Sequence, residues 1–198
     1  MTQISGRHLS TDELVQGLEF ILDSPADNGS LELIVRRPDV DERESLAEGR
    51  LDTEQGLVGD NWLARGSRHT ADGSADPEMQ LNIMNSRIAA LVADDPDRRE
   101  LAGDQLYLDM DLSSANLPPG TRLSIGDAVI EVTEPPHTGC KKFAARFGAD
   151  AVVFVNSGMG KKRNFRGICA KVIEPGDIKA GDVARKLPGG NQLSRQTN

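Results

Sequence analysis

The chain has 198 residues, 37% of them hydrophobic and 27% charged, with a net charge of −8, the make-up of a soluble domain with a core of its own. Two cysteines in this length exclude a disulfide framework and fit a reducing compartment. No apolar run is long enough to span a bilayer, and the opening Met1-Thr2-Gln3-Ile4-Ser5-Gly6-Arg7-His8 lacks the apolar core of a signal peptide, so a cytoplasmic protein without membrane contact is expected.

Ser10-Thr11-Asp12-Glu13 has the form of a capping box, with Ser10 at N-cap and Glu13 at N3. Leu14, Leu18 and Ile21 follow at helical spacing, so residues 1–30 read as an N-terminal helical extension. Leu31-Glu32-Leu33-Ile34-Val35 alternates and predicts a strand closed by Arg36-Arg37-Pro38. The stretch from Asp39 to Arg50 is charged and ambiguous. Gly56 to Asp76, poor in apolar residues, reads as a long loop. A strand is predicted at Met79–Met84, with Asn85 capping a short helix through Leu91.

Leu106–Met110 alternates again. Thr121–Ile125 and Ala128–Thr133 predict a hairpin about Gly126-Asp127. Pro135-Pro136-His137-Thr138-Gly139 keeps the chain irregular up to Cys140, where Thr138 is the expected cap of a helix carrying Phe143, Ala144 and Phe147 on one face. Ala151-Val152-Val153-Phe154-Val155 suits either a strand or a buried helix. Phe165–Ile173 predicts a strand, and Pro175-Gly176 a turn. Many short strands, Gly/Pro turns and few long helices indicate a mainly β, barrel-like domain with short helices in its connections.

Charge is unevenly placed. From Lys141 to Lys171 eight basic residues face one acid, Asp150, a net +7 that leaves −15 on the rest of the chain. A cationic island on an acidic protein concentrates small anions and repels polyanions, so a small anionic cofactor is the expected ligand and nucleic acid is not. Cys140 stands at the island's edge, beside Lys141 and Lys142, where positive charge favours the reactive thiolate. An inert, buried cysteine is the competing reading. His69, His137, Cys140 and Cys169 lack zinc-site spacing. His137 and His69 are candidate proton donors near neutral pH, although His137 has an equal claim to a loop-orienting role. Cys169, in an alternating strand, reads as packing.

Gly56-Leu57-Val58-Gly59-Asp60, Gln80-Leu81-Asn82-Ile83-Met84, Gly103-Asp104, the run from Leu117 through Gly126-Asp127 to Thr133, Cys140, Arg166-Gly167-Ile168 and Gly181-Asp182 occur in an order that resembles the MOSC domain. That domain is found at the C-terminus of molybdenum cofactor sulfurases and as stand-alone proteins. The resemblance implies a barrel-like fold related to the pyruvate kinase β-barrel domain over 31–187, with 188–198 a flexible C-terminal tail. It also implies that Cys140 is a thiolate ligand of molybdenum or, alternatively, a sulfur carrier holding a persulfide. The implied cofactor, molybdopterin, ends in a phosphate, for which Lys141, Lys142, Arg146, Lys161, Lys162, Arg163, Arg166 and, in the loop after Gly59-Asp60, Arg68 are the candidate binding residues. The implied activity is reduction of N-hydroxylated or similar small substrates, served by a separate redox partner; a cysteine desulfurase is the partner under the sulfur-carrier alternative. Pyridoxal phosphate, sometimes attached to the family, has no support in any particular lysine here.

Overall fold

The computed structural model describes residues 6–188; of the tail expected at 188–198, residues 189–198 lie outside the described residues. Helices α1 (Thr11–Gln16) and α2 (Leu18–Leu22) open the chain. The capping box forms: the Ser10 side chain accepts from Glu13 N–H and the Glu13 carboxylate accepts from Ser10 N–H. The single helix implied by the apolar spacing is divided at Gly17, where a Cβ would stand 2.6 Å from Leu91. Glycine there leaves room for the Leu91 side chain of a later helix.

Strands β1 (Gly29–Arg36), β2 (Glu44–Leu46), β3 (Glu48–Asp52) and β4 (Gly56–Leu57) precede helix α3 (Trp62–Arg65). The ambiguous acidic stretch thus supplies β2 and the start of β3, and the expected long loop contains β4 and α3. Next come β5 (Leu81–Asn85) and α4 (Ser86–Ala93), the latter capped by Asn85 Oδ1 on the Arg87 and Ile88 amides. A 3-10 stretch, Pro96–Ala102, leads into β6 (Leu106–Asp109). The hairpin β7 (Arg122–Ile125) and β8 (Ala128–Pro136) turns at Gly126, whose φ of 54° suits glycine.

Helices α5 (Lys141–Phe147), α6 (Ala149–Asn156) and α7 (Gly158–Lys162) follow, then β9 (Ile168–Glu174), β10 (Gly176–Lys179) and β11 (Val183–Lys186). Two expectations are corrected here. Cys140, not Thr138, occupies the N-cap of α5, and its side chain makes no capping hydrogen bond. The predicted strand from Phe165 begins only at Ile168, because Gly167, at φ 119°, turns the chain into β9. The undecided apolar run at 151–155 is the centre of α6.

The sheet order β11-β7-β8-β9-β5-β6-β1 is closed by pairing of β1 with β11, giving a seven-stranded barrel with β2 added beside β1. Only β5 and β6 run parallel, joined across α4 and the 3-10 stretch; the other barrel pairs are antiparallel. A second sheet, β10-β3-β4, packs Leu51, Leu57 and Ile178 into the core that the barrel interior forms.

Strand alternation separates two cores. Ile34, Ile83, Leu106, Leu108, Ile130 and Ala170 fill the barrel interior. Their neighbours Val35, Met84 and Tyr107 point outward, where Ile88, Phe143, Phe147, Phe154 and Phe165 cover them. The helical layer therefore packs on one outer wall, and three of its connections, Gly103-Asp104 before β6, His137 to Cys140 before α5 and Arg166-Gly167 before β9, converge at one end of the barrel. Among the described residues no helix is long and apolar enough to cross a membrane.

Candidate functional site

A cavity of about 200 Å³ opens at that end. Arg37 and Arg43 flank the strands β1 and β2, Arg65 ends α3, Gly103 follows the 3-10 stretch, His137 follows β8, Cys140 to Arg146 belong to the start and body of α5, and Arg166 precedes β9; all line it except Lys141, Ala144 and Ala145.

The floor is a buried ionic network. Asp104, with no side-chain exposure, accepts from Arg166 Nη1 at 2.8 Å and 2.7 Å through its two oxygens. Arg166 Nη2 donates to the Ala102 carbonyl at 3.0 Å, and the guanidinium carbon lies 4.9 Å from the Phe143 ring centroid. His137 Nε2 stands 2.8 Å from the same Asp104 Oδ1. Burial alone would raise the Asp104 pKa; Arg166, then His137, outweighs it and holds the carboxyl below the ordinary range. For His137 burial, then Arg166, pushes the pKa down against the pull of Asp104. The imidazole is thus neutral at pH 7, with its Nε2–H donated to Asp104 and Nδ1 left as the basic nitrogen.

Gly167 makes this arrangement possible. A Cβ there would collide with the Ile83 carbonyl oxygen and lie 3.1 Å from His137 Cδ2. The glycine serves close approach as well as the turn into β9.

Most cations of the wall have counter-ions. Arg37 pairs with fully buried Asp60 through Nε and Nη2, both at 2.8 Å, and its Nη1 donates to the Gly103 carbonyl. Asp41 serves Lys142 at 3.1 Å and Arg146 at 3.0 Å. Arg43 and Arg65, by contrast, have no ion pair among the described residues. Arg43 Nε is buried without a hydrogen-bond partner. Burial, then the like charges of Arg146 and Arg37, pulls the Arg43 pKa down; burial, then Arg37, does the same to Arg65. Crowded and uncompensated guanidinium groups of this kind favour a bound anion.

Cys140 is exposed at the rim. Cys169 is buried in β9, 3.6 Å from Asn82 Oδ1, and burial pushes its thiol up to about 12. It is the packing residue that its alternating strand suggests. No cluster of three or more His, Cys, Asp or Glu among the described residues is placed to hold a metal ion.

Of the residues singled out from sequence, the structure brings together Cys140, His137, Lys142, Arg146 and Arg166. Lys141 is exposed outside the lining, and His69 and Arg68 are exposed on the loop after α3, also outside it. Lys161 and Lys162 sit exposed on α7, and Arg163 reaches Asp111 at 3.7 Å on another face. The +7 island is therefore not one surface in space. Sequence reasoning missed Arg37, Arg43, Arg65, Asn61 and Asn82 in the wall, and Asp104 beneath it.

Residues 102–185 match the family model of the MOSC domain. Among solved structures, the YUAD protein from Bacillus subtilis aligns with 19% identity over 81% of this chain and 97% of that one, with a TM-score of 0.54. YiiM from Escherichia coli aligns with 21% identity over 80% of this chain and 70% of that one, with a TM-score of 0.51. At these identities the likeness shows the fold. No curated protein matches the chain.

Proposed function

We propose, from the match of residues 102–185 to the MOSC domain model, that the cavity beside Cys140 binds molybdenum cofactor, with the Cys140 thiolate on the metal, and that the protein reduces N-hydroxylated or similar small substrates. The observation that carries the reading is the pairing of an exposed thiol with two uncompensated arginines, Arg43 and Arg65, around one cavity.

The residues present fit such a group. The phosphate of the pterin would neutralise Arg43 and Arg65, and the orphaned Arg43 Nε supplies a donor without a protein partner. A soft thiolate suits molybdenum, and with no three-residue cluster among the described residues a metal on Cys140 would bring its other ligands with it. A volume of about 200 Å³ lies below the ~300–1,000 Å³ of pockets that enclose whole ligands, so the cavity takes the anionic end and leaves the remainder at the open mouth.

When bound, the cofactor supplies a two-electron redox couple. The chain's own contributions are positional and electrostatic. Arg37 and Arg166, each paired with a buried carboxylate, Asp60 and Asp104, keep the site rigid, and Arg43 and Arg65, unpaired among the described residues, supply its positive charge. His137, neutral with Nε2–H committed to Asp104, offers Nδ1 as a proton acceptor. This revises the donor role expected of it, since an imidazole held neutral has no second proton to give at pH 7.

Molybdenum and pterin content, measured after purification from a host that makes the cofactor, tests the reading. Near-equal amounts support it, and a well-folded protein free of both contradicts it. The exposure of Cys140 also favours a second reading, in which the sulfur carries a persulfide delivered by a cysteine desulfurase. Persulfide-selective labelling mapped to Cys140 supports that reading, and its absence after exposure to a desulfurase removes it.

A further inference from the structure

The loop that presents Cys140 is held from two sides. On one, His137 is tied to Asp104. On the other stands Asn156, the last residue of α6. Its Oδ1 accepts from the Gly139 N–H at 3.0 Å, and its Nδ2 donates to the Gly139 carbonyl at 3.0 Å. One side chain thereby satisfies both backbone groups of the residue before the cysteine, as a neighbouring strand would. The fit is close, for a Cβ on Gly139 would lie 3.0 Å from Val155 Cγ2 and 3.2 Å from Asn156 Nδ2.

Nothing in the Cys140 side chain fixes its own position. It makes no capping bond, and the residue is exposed. Its backbone is extended, with φ −120° and ψ 179°. The direction of the Cα–Cβ bond, and hence the reach of Sγ, is therefore set by the peptide between Gly139 and Cys140 and by the entry into α5. Asparagine is the residue type that the contact requires. Aspartate would offer an acceptor to the N–H but no donor to the carbonyl, and alanine would offer neither.

We propose that Asn156 is a positioning residue that holds Cys140 Sγ at the cavity rim by pairing with both backbone groups of Gly139. The inference rests on the reading of Cys140 as the working sulfur, but it concerns the protein without cofactor. The junction of α6 and α7 then has a role in the site although neither helix lines the cavity.

The test uses the full chain without cofactor, as wild type, Asn156→Ala and Asn156→Asp. Two quantities are read: hydrogen exchange at the Gly139 amide, and the rate of iodoacetamide modification of Cys140 against pH, mapped by mass. The expected result is faster Gly139 exchange in Asn156→Ala, by about tenfold, the size of one lost hydrogen bond. Alkylation of Cys140 shifts in rate or in pH midpoint in the same variant, and Asn156→Asp, which keeps the acceptor, falls between alanine and wild type. A lowered melting temperature with an unchanged alkylation profile in both variants would overturn the proposal, since Asn156 would then only join α6 to the loop. Rapid, unprotected exchange of Gly139 in the wild type would overturn it without any variant. Absence of molybdenum from the wild type would sink the proposed function yet leave these readouts standing, so the two failures are distinguishable.

Discussion

Asp104 and Arg166 form a two-oxygen pair at 2.7 and 2.8 Å on a carboxylate with no exposure, and the same carboxylate carries His137. The pair links the start of β6 to the segment before β9 and sets the floor of the cavity. Burying two charges has a large desolvation cost that their attraction roughly offsets, whereas stranding one of them is strongly unfavourable. Asp104→Ala is therefore expected to lower stability by about 3–5 kcal/mol in chemical denaturation. The double variant Asp104→Leu with Arg166→Met should recover a large part of that loss. A single-variant loss below about 1 kcal/mol would show that the pair does not brace the site.

His137 gives the molecule a pH dependence of definite sign. Its folded pKa lies below the unfolded value of about 6.5 because burial and Arg166 disfavour the imidazolium. Between the two values the unfolded chain binds more protons, so stability falls as pH drops below about 6.5. The loss is complete once pH is below the folded pKa. Asp104, whose pKa is also held down, adds a second loss only below about pH 4. Melting temperature should hence decline between pH 7 and 5 in the wild type, and decline less in His137→Gln. Identical slopes would contradict the account of the imidazole.

Gly167 separates turn chemistry from close approach. Its φ of 119° and the collision of any Cβ with the Ile83 carbonyl oxygen predict a loss of at least about 1–3 kcal/mol for Gly167→Ala. The NMR shifts of the His137 ring should move in the same variant, because the added methyl would crowd Cδ2. A stable protein with an unmoved ring would show that the backbone relaxes there without consequence.

The barrel was legible in the sequence because two of its signals are local. Alternation at Leu31–Val35 and at Leu106–Met110 places Ile34 and Leu106 inside and Val35 and Tyr107 outside, and Gly126-Asp127 marks the β7–β8 turn by conformational need. The nearness of Cys140 and His137 to positive charge was legible as well, and both line the cavity. The cation set was only half legible, since counting charges along one segment cannot find a wall drawn from β1, β2, α3 and α5. Arg37 read as the end of a strand, and Arg43 was hidden among the acids Asp39, Asp41, Glu42 and Glu44. Conversely, Lys161 and Lys162 belong to the basic run but leave the site with α7. Asp104 read as turn chemistry in Gly103-Asp104; its burial depends on Arg166, 62 residues later.

Arg43 and Arg65 test the anion site without the cofactor. Each is crowded by like charge and unpaired among the described residues, so Arg43→Gln and Arg65→Gln should leave the melting temperature of the ligand-free protein unchanged or raised. The same variants should weaken binding of inorganic pyrophosphate about tenfold or more, the cost of one charge-assisted hydrogen bond. Calorimetric titration decides the matter. Equal affinity in wild type and variants would place the anion elsewhere.

The central claim is that Cys140 is the sulfur that holds molybdenum in this cavity. Its most direct test is the metal and pterin content of the wild type, Cys140→Ser and Cys169→Ser, all purified anaerobically from one cofactor-making host. The account predicts near-equal molybdenum and pterin in the wild type and in Cys169→Ser, and loss of the metal in Cys140→Ser. Undiminished molybdenum in Cys140→Ser, or none in a folded wild type, would contradict it.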